Sequence, residues 1–147
     1  MKLSTKIRYG TRALLDLALH SRGSAPVPLK EIAQRQAISL YYLEHIISPL
    51  ISGGIVCSAR GVKGGVTLAK SAQQINLKEV VELLDGPVAP VDCLIGSKTC
   101  PRSSLCATQD LWKDVGQAID QVLKATTLHD LVEKQKNKNR TPDMYYI

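Results

Sequence analysis

The sequence predicts a mainly α-helical fold with a small β-hairpin wing, namely a winged helix-turn-helix followed by a long C-terminal dimerisation helix. Three observations predict it. Three apolar stripes at helical spacing precede two β-like segments that flank a glycine-rich, basic turn. A further apolar stripe repeats every three or four residues in the second half of the chain. The excess positive charge of the 147 residues lies entirely in the first half.

Caps and breakers bound the first two helices. We predict the first helix over 5–21, because apolar residues recur there at helical spacing and Ser4 or Thr5 can cap its start. A stretch containing glycine and proline ends it. The second helix is predicted over 28–36, with Pro28 at its first position, where a helix does not need the missing N–H.

The third helix is predicted over 39–52. Ser39 is a favourable N-cap, and a stripe of leucine and isoleucine follows it. Pro49 should kink or loosen the last turn, because it lacks the N–H that the helix uses. Gly53 and Gly54 then end the helix.

A β-hairpin is predicted next. Its strands cover 55–59 and 66–69, and its tip, 60–65, carries two cations and three glycines. A short helix then opens at Asn76 or Leu77 and runs to Leu84.

The second half contains breakers, a loop and two helices. Residues 85–90 form a connector rich in glycine and proline, and 93–106 lack periodicity, so we predict a loop there. An amphipathic helix is predicted from about 104 to 125. A short helix around 127–134 and a polar tail, 134–140, follow.

The composition excludes membrane and secreted classes. Hydrophobic residues make up 44% of the chain, which is enough for a core, but no apolar run reaches the ~18 residues of a membrane span. The basic N-terminus is not followed by the apolar segment of a secretory signal. We therefore expect a cytoplasmic protein without a membrane partner.

The charge distribution points to a polyanion. Residues 1–70 carry ten Lys and Arg against three acids, whereas 71–147 carry nine against ten. A basic half-chain is typical of nucleic-acid binding, and a merely solvated surface is the alternative. The order of helices, tight turn and basic hairpin favours double-stranded DNA, with the third helix in the major groove and the hairpin on the phosphates or minor groove.

The residues expected to contact DNA are polar, charged or flexible and lie at the chain start, on the third helix or at the hairpin tip. They are Lys2, Ser4, Lys6, Ser39, Tyr41, Tyr42, Glu44, His45, Arg60, Lys63 and Gly64. Glu44 can accept from the amino group of cytosine. Three of them also suit roles away from DNA: Ser39 is first a helix cap, Tyr42 suits a half-buried position, and Glu44 is ordinary on a solvated face.

Three of the four cysteines, Cys93, Cys100 and Cys106, fall within fourteen residues. Such a cluster of soft thiolates suggests an iron–sulfur or metal site, or a redox sensor. Zinc is less favoured, because no Cys-x₂-Cys pair is present. A thiol–disulfide or persulfide switch and purely structural cysteines are the alternatives. Cys57, on the first hairpin strand, is expected to be an inert small hydrophobe.

Several segments together carry a family resemblance. They are 1–10, 27–33, 38–44, 54–56, 60–65, 84–87 and 127–131. They resemble the winged-helix regulators typified by IscR, NsrR and CymR, and the resemblance covers nearly the whole chain. It implies a dimeric bacterial transcription regulator whose long C-terminal helix pairs with its partner. Many members bind an iron–sulfur cluster through three cysteines.

The resemblance assigns roles to single residues. Glu44 matches a recognition-helix acid that discriminates between DNA sequences, and Arg60 matches a wing arginine that enters the minor groove. Cys93, Cys100 and Cys106 match the three cluster ligands. On this basis a [2Fe–2S] cluster is favoured over [4Fe–4S], which uses the same ligands.

The chain departs from the family pattern at the fourth ligand. Six residues separate the first two cysteines, where five are commoner, and Gln109 stands where IscR has a histidine. Arg8 stands where the NsrR branch has an acid from the partner subunit. The fourth ligand is therefore unassigned, and Asp110, a histidine or an exogenous group are the candidates.

The C-terminus carries a second resemblance. The last residues, including Tyr146 and Ile147, are similar to the tail of CymR, which docks in cysteine synthase. The resemblance makes cysteine synthase a candidate partner. The other interpretation is a strand or turn tucked under the dimer. CymR lacks the three-cysteine cluster, so the two signals point to different branches.

These features predict a homodimeric transcription regulator that reads a palindromic operator and senses iron–sulfur, redox or nitrosative status. Residues 1–85 form the DNA-binding domain, and 86–147 hold the cysteine loop, dimerisation helix and tail. The alternative is a cluster-free, CymR-like regulator of cysteine metabolism that uses thiol chemistry or its tail. An enzyme is not favoured, because the three histidines lie on separate helices and no phosphate-binding loop is present.

Overall fold

The computed structural model describes residues 2–96 and 100–140, and these form a mainly helical fold with one antiparallel hairpin. The elements are α1 (Thr5–His20), α2 (Leu29–Gln36), α3 (Leu40–Ser52), β1 (Val56–Ala59), β2 (Gly65–Leu68), α4 (Leu77–Asp85), α5 (Ala107–Ala125) and α6 (Leu128–Arg140). Short 3₁₀ turns cover Ala72–Gln74, Asp92–Leu94 and Ser103–Leu105. The predicted fold class is confirmed.

Side-chain caps start three of the helices where the sequence suggests them. Ser4 Oγ accepts from the Ile7 N–H at 3.2 Å, and Ser39 Oγ accepts from the Tyr42 N–H at 3.2 Å. Asn76 Oδ1 accepts from the Glu79 N–H at 3.0 Å. Each cap satisfies a donor that the first turn of a helix leaves free, and typically contributes about 1 kcal/mol.

The core is aliphatic and joins α1, α2, α3, α4 and the base of the hairpin. Its largest fully buried side chains are Leu14, Leu17, Ile32, Leu43, Ile46, Ile47, Leu50, Ile55, Ile75, Leu128, Val56 and Val66. Burying a leucine or isoleucine of this kind is worth about 1.5–3 kcal/mol, so the apolar stripes of the helices hold the helix-turn-helix together.

The hairpin is fixed to the helical body by a bridge that the sequence did not suggest. In the register of the sheet, Ser58 lies opposite Val66 and Cys57 opposite Thr67. On the other edge of β2, Val27 and Val66 exchange both backbone hydrogen bonds at 2.9 Å. The residue before Pro28 therefore anchors the wing, which gives the wing a fixed position relative to the helices.

Two helices differ from their predicted form. Pro49 was expected to loosen the end of α3, but α3 continues to Ser52, and the Gly53 N–H donates to the Pro49 carbonyl at 2.9 Å. The missing N–H of Pro49 interrupts a single bond, and the buried stripe holds the turn. Likewise α6 runs to Arg140 rather than ending near 134, because polar residues support each other, as in the Gln135–Asn139 bond of 3.0 Å.

The second half is joined to the first half through α4 and α6. Leu128 lies in the core, and its N–H donates to the Ile75 carbonyl at 2.8 Å. Lys78 of α4 pairs with Asp120 of α5 at 2.6 Å. The described parts of 1–85 and 86–147 thus share one core, and their division into two domains stays a prediction. Among the described helices, none is both long and apolar enough to cross a membrane.

Candidate nucleic-acid interface and cysteine loop

The first turns of α3 present a row of exposed polar side chains. Tyr41, Glu44 and His45 lie at i, i+3 and i+4, which places them on one face of the helix. Tyr41 is 73% exposed, and its ring lies 4.4 Å from that of His45. Because the Tyr41 carbonyl can only accept, the His45 Nδ1 donates to it, at 2.8 Å. The outer nitrogen, Nε2, is then the acceptor of the neutral ring.

Tyr42 differs from these three residues. Its side chain is half-buried and packs edge-on against Tyr9, with ring centroids 6.0 Å apart. Tyr42 also packs against the core. The structure therefore gives Tyr42 a packing role between α1 and α3, in addition to any contact that its hydroxyl makes with DNA.

The hairpin tip is a tight turn that exposes its two cations. The Gly64 N–H donates to the Gly61 carbonyl at 2.9 Å, and Gly61 has a φ of 105°, which favours glycine. Arg60 and Lys63 are exposed and form no ion pair with any residue that the structure describes. Their charges are thus available to a phosphate backbone.

The wing is held at a fixed place relative to α3. The Ile55 N–H donates to the Leu50 carbonyl at 2.9 Å, and the Ala69 N–H donates to the Ile55 carbonyl at 2.9 Å. The start of the hairpin is therefore tied to the last turn of α3, and the residue after β2 is tied back to that start. A rigid connection of this kind allows helix and wing to contact one duplex together.

Ion pairs leave the described part of the first seventy residues strongly basic. Asp16 and Glu31 share Arg35, while Lys70 pairs with Glu79 of α4. Glu44 is then the one acid of residues 2–70 without an ion pair in the described structure. A single acid on the exposed face of α3, within a basic surface, suits selective reading of DNA rather than attraction to phosphates.

The predicted contacts at the chain start lie at or just before the first turn of α1. Lys2 and Lys6 are exposed, and Ser4 is occupied as the cap of α1. Lys2 and Ser4 border an apolar groove formed by the start of α1, by α4 and by α5. A contact of these two residues with DNA therefore stays a prediction.

The three clustered cysteines lie on separate parts of one loop. Cys93 is in a 3₁₀ turn, Cys100 follows residues 97–99, and Cys106 directly precedes α5. All three are half-buried. The Gln109 amide donates to the Cys93 carbonyl at 3.4 Å, so the start of α5 holds the turn that carries Cys93.

Cys106 has the local surroundings of a metal-binding thiol. Its sulfur lies 3.1 Å from the Thr108 hydroxyl. The Thr108 hydroxyl and the N–H of Gln109 lower the pKa of the Cys106 thiol below its ordinary value, because both stabilise the thiolate. Thiolates are the form that binds metals.

The chemistry of these donors fits an iron–sulfur cluster, because three thiolates on one loop are soft ligands of the kind that clusters use. The positions of the three thiols in the described structure do not form a metal-binding site. Among residues 2–96 and 100–140, no group of three or more His, Cys, Asp or Glu side chains could hold one metal ion. Asp110 is exposed on the first turn of α5, and the structure does not identify a fourth ligand.

Two further predictions concern Cys57 and the C-terminal residues. Cys57 is exposed on β1 rather than packed as a small hydrophobe. Tyr146 and Ile147, expected to contact a partner enzyme, lie outside the described residues.

One group of residues was missed by the sequence analysis. Asp16, Arg35 and Gln36 form a polar cluster in which the Asp16 carboxylate is buried and the other two side chains reach the surface. The available signal was its position: Asp16 stands on α1 between Leu14 and Leu17, within an otherwise apolar stripe.

Together, the helix-turn-helix, the anchored basic wing and the exposed α3 face define a winged-helix, DNA-binding transcription regulator. The family model described as "Rrf2: Iron-dependent Transcriptional regulator" matches residues 3–134. The chain therefore belongs to the Rrf2 family of transcriptional regulators. The relatives are regulators and not enzymes, as the sequence predicted.

Named relatives and solved structures agree with this assignment. The Rrf2 protein of Nitratidesulfovibrio vulgaris strain Hildenborough is 43% identical over 90% of this chain and 87% of its own length. IscR of Xenorhabdus nematophila is 39% identical over 97% of this chain and 92% of its own length. The fold is similar to that of T. potens IscR, with a TM-score of 0.79 at 35% identity over 99% of this chain and 97% of that one. The fold is also similar to that of CymR, described as the global cysteine regulator of B. subtilis. The TM-score is 0.76 at 36% sequence identity, and the match covers 91% of this chain and 98% of that one.

Proposed function

We propose that the chain is a cytoplasmic homodimer that reads a palindromic operator through α3 and the wing. The exposed face of α3, with Tyr41, Glu44 and His45, carries this proposal. It stands beside a wing whose cations, Arg60 and Lys63, are unpaired in the described structure. Phosphate contacts by cations supply affinity, and side chains that reach base edges supply sequence selection.

The α3 face supports a specific reading chemistry. The Glu44 carboxylate only accepts, and His45 Nε2 accepts in the neutral ring because Nδ1 donates to the Tyr41 carbonyl. In the major groove, the donors are the amino groups of cytosine and adenine. Two neighbouring acceptors therefore favour a half-site with amino groups at two adjacent positions.

Dimerisation is supported by α5. Its apolar positions Leu111 and Val122 are exposed, and none of its residues is buried in the single chain described. An amphipathic helix that leaves part of its apolar face in water is stabilised when a second copy covers that part. A two-fold dimer would then place two copies of α3 on half-sites about one helical turn apart.

Glu44→Gln tests the DNA-reading role. The amide keeps the size of the side chain but adds a donor, so selection at one base pair per half-site should weaken by about 5-fold to 150-fold. The operator is first obtained by selection from a randomised duplex library with the unaltered chain. Affinities for that duplex and its single-base variants are then measured at fixed salt.

Glu133→Gln is the matched control, since Glu133 is a partly exposed acid of α6 that pairs with Lys136. It should leave base selection unchanged. An unaltered chain that recovers no preferred sequence contradicts the proposed function, and so does a Glu44→Gln profile identical to the parent's.

We further propose that Cys93, Cys100 and Cys106 bind an iron–sulfur cluster, with [2Fe–2S] favoured over [4Fe–4S]. The half-buried thiols and the lowered pKa of the Cys106 thiol support this role. Binding would require Cys93, Cys100 and Cys106 to converge, because they form no metal-binding group in the described part of the chain. Gln109 links Cys93 to α5, so a movement of Cys93 on cluster binding would also displace the start of the dimerisation helix.

Cys100→Ala tests the cluster. We expect protein purified without oxygen to contain iron and sulfide and to absorb visible light, and Cys100→Ala to lose both. Cys57→Ala is the matched control, because Cys57 is exposed but lies outside the loop. An iron-free, colourless parent would contradict the cluster and favour the cluster-free, CymR-like alternative, in which the thiols or the C-terminal tail carry the signal.

A further inference from the structure

A buried carboxylate joins α1 to the end of α2. Asp16 is 3% exposed. Its Oδ2 accepts from Arg35 Nη2 at 2.8 Å, and its Oδ1 accepts from Gln36 Nε2 at 3.0 Å. Arg35 Nε approaches both oxygens, at 3.1 and 3.0 Å. Removing a partner from a buried charge is costly, so this cluster fixes the spacing of the two helices.

The Gln36 amide extends the cluster to Arg12. Its Oε1 accepts from Arg12 Nε at 3.1 Å, while its Nε2 donates to Asp16. An arginine only donates and a carboxylate only accepts, so the two partners fix the orientation of the amide. Arg12 Nη2 also donates to the Gln36 carbonyl at 2.6 Å, which satisfies a carbonyl that the helix end leaves free.

Gln36 is the last residue of α2, and α3 begins four residues later at Leu40. Every residue between them is constrained. Ala37 has a left-handed φ of 52°, the Ile38 N–H donates to the Ala33 carbonyl at 3.0 Å, and Ser39 caps α3. Because the backbone of this turn is constrained at every residue, the direction of α3 depends on how α2 ends.

We infer that Gln36, held by Arg12 and Asp16, is a positioning residue that sets the direction in which α3 meets DNA. Each end of its amide bonds a protein partner, which favours a role through the end of α2 and the direction of α3 over a base contact. This inference rests on the proposed DNA-reading function. It assigns the cluster a role in base selection that goes beyond holding the core together.

Gln36→Met is the test, because methionine keeps the length and charge of the side chain but removes both amide bonds. We expect affinity for the selected operator to fall about tenfold, the cost of roughly one lost base contact. Affinity for an unrelated duplex and its salt dependence should not change, since no phosphate contact is lost. Gln34→Met makes the same replacement on the exposed side of α2 and should behave like the parent.

Hydrogen exchange of the DNA-free chain gives a second readout that does not depend on the operator. Gln36→Met should exchange faster than the parent over 37–43, whereas Gln34→Met should not. Unchanged exchange in Gln36→Met, an unchanged operator affinity, or equal losses on operator and unrelated DNA would each overturn the inference. Failure of the parent to select any sequence contradicts the proposed function instead, and the exchange result still decides whether Gln36 holds α3.

Discussion

Val122→Asp is expected to convert the dimer into a monomer and to weaken operator binding by about 100-fold or more, the usual size of lost two-site binding. Val122 is 65% exposed on α5. With Ile119 and Leu123 it lines a largely apolar groove of about 740 Å³ that α1 and α4 complete. A short aspartate side chain would keep its charge at this surface, and covering it with a second copy would remove its hydration.

The consequence for DNA follows from symmetry. A dimer binds both half-sites in one event, so the second α3 engages at a high effective concentration. A monomer has only one α3 and one wing, and each half-site must be bound independently. The loss should therefore be large for a two-half-site operator and small for a duplex with a single half-site.

Gln117→Asp is the matched control. Gln117 is exposed on α5 but does not line the groove. The Gln117→Asp change therefore introduces the same charge on another face of the same helix. Sedimentation at micromolar concentration reports the mass, and circular dichroism reports whether α5 still forms. A Val122→Asp chain that sediments as a dimer, like the control, would show that α5 and its groove are not the interface.

The helices of the DNA-binding half could be predicted because their signals are local. Ser4, Ser39 and Asn76 each cap a helix within a residue or so of the expected start. The apolar stripes also identify most of the buried side chains of α1 and α3. Local chemistry decides such features, so a sequence contains them in full.

Features that depend on distant partners were missed. Val27 pairs with Val66 across thirty-nine positions of sequence, and no pattern within either segment indicates it. Asp16 is buried because Arg35 and Gln36 come to it from the next helix. Contacts of this kind are set by packing of whole elements, which a single sequence does not specify.

The candidate site was predictable only where local sequence decides the position of a side chain. The exposure of Tyr41, Glu44 and His45 follows from helical spacing, whereas the half-burial of Tyr42 comes from Tyr9 on α1. The thiols are close in sequence but are not gathered in the described structure. Spacing in a loop indicates which ligands are available, but loop conformation decides whether they converge.

Gly65→Ala is expected to destabilise the chain by roughly 2 kcal/mol or more, because it places a methyl group against rigid backbone. An added Cβ at Gly65 would overlap the carbonyl of Val27 and approach the nitrogen of Pro28 at 2.9 Å. These atoms cannot swing away as a side chain can. Relief of the overlap requires β2 to separate from Val27, which breaks the two backbone bonds that Val27 and Val66 exchange.

The same change should weaken operator binding in protein that is still folded. Val27 directly precedes Pro28, the N-cap of α2, so its bridge sets where the wing stands relative to the helix-turn-helix. With the bridge broken, Arg60 and Lys63 no longer approach DNA from a fixed position. We expect about a tenfold loss of affinity, measured at a temperature where the variant remains folded.

Ser58→Ala is the matched control, since Ser58 is exposed on β1 and lies opposite Val66 in the hairpin. Surface changes of this kind usually alter the free energy of unfolding by less than about 0.5 kcal/mol. Urea unfolding of the three proteins compares the costs directly. A Gly65→Ala chain as stable as Ser58→Ala would mean that the Val27–Val66 bridge yields easily, and the wing would then be held by the Ile55–Leu50 bond and by the burial of Val56 and Val66.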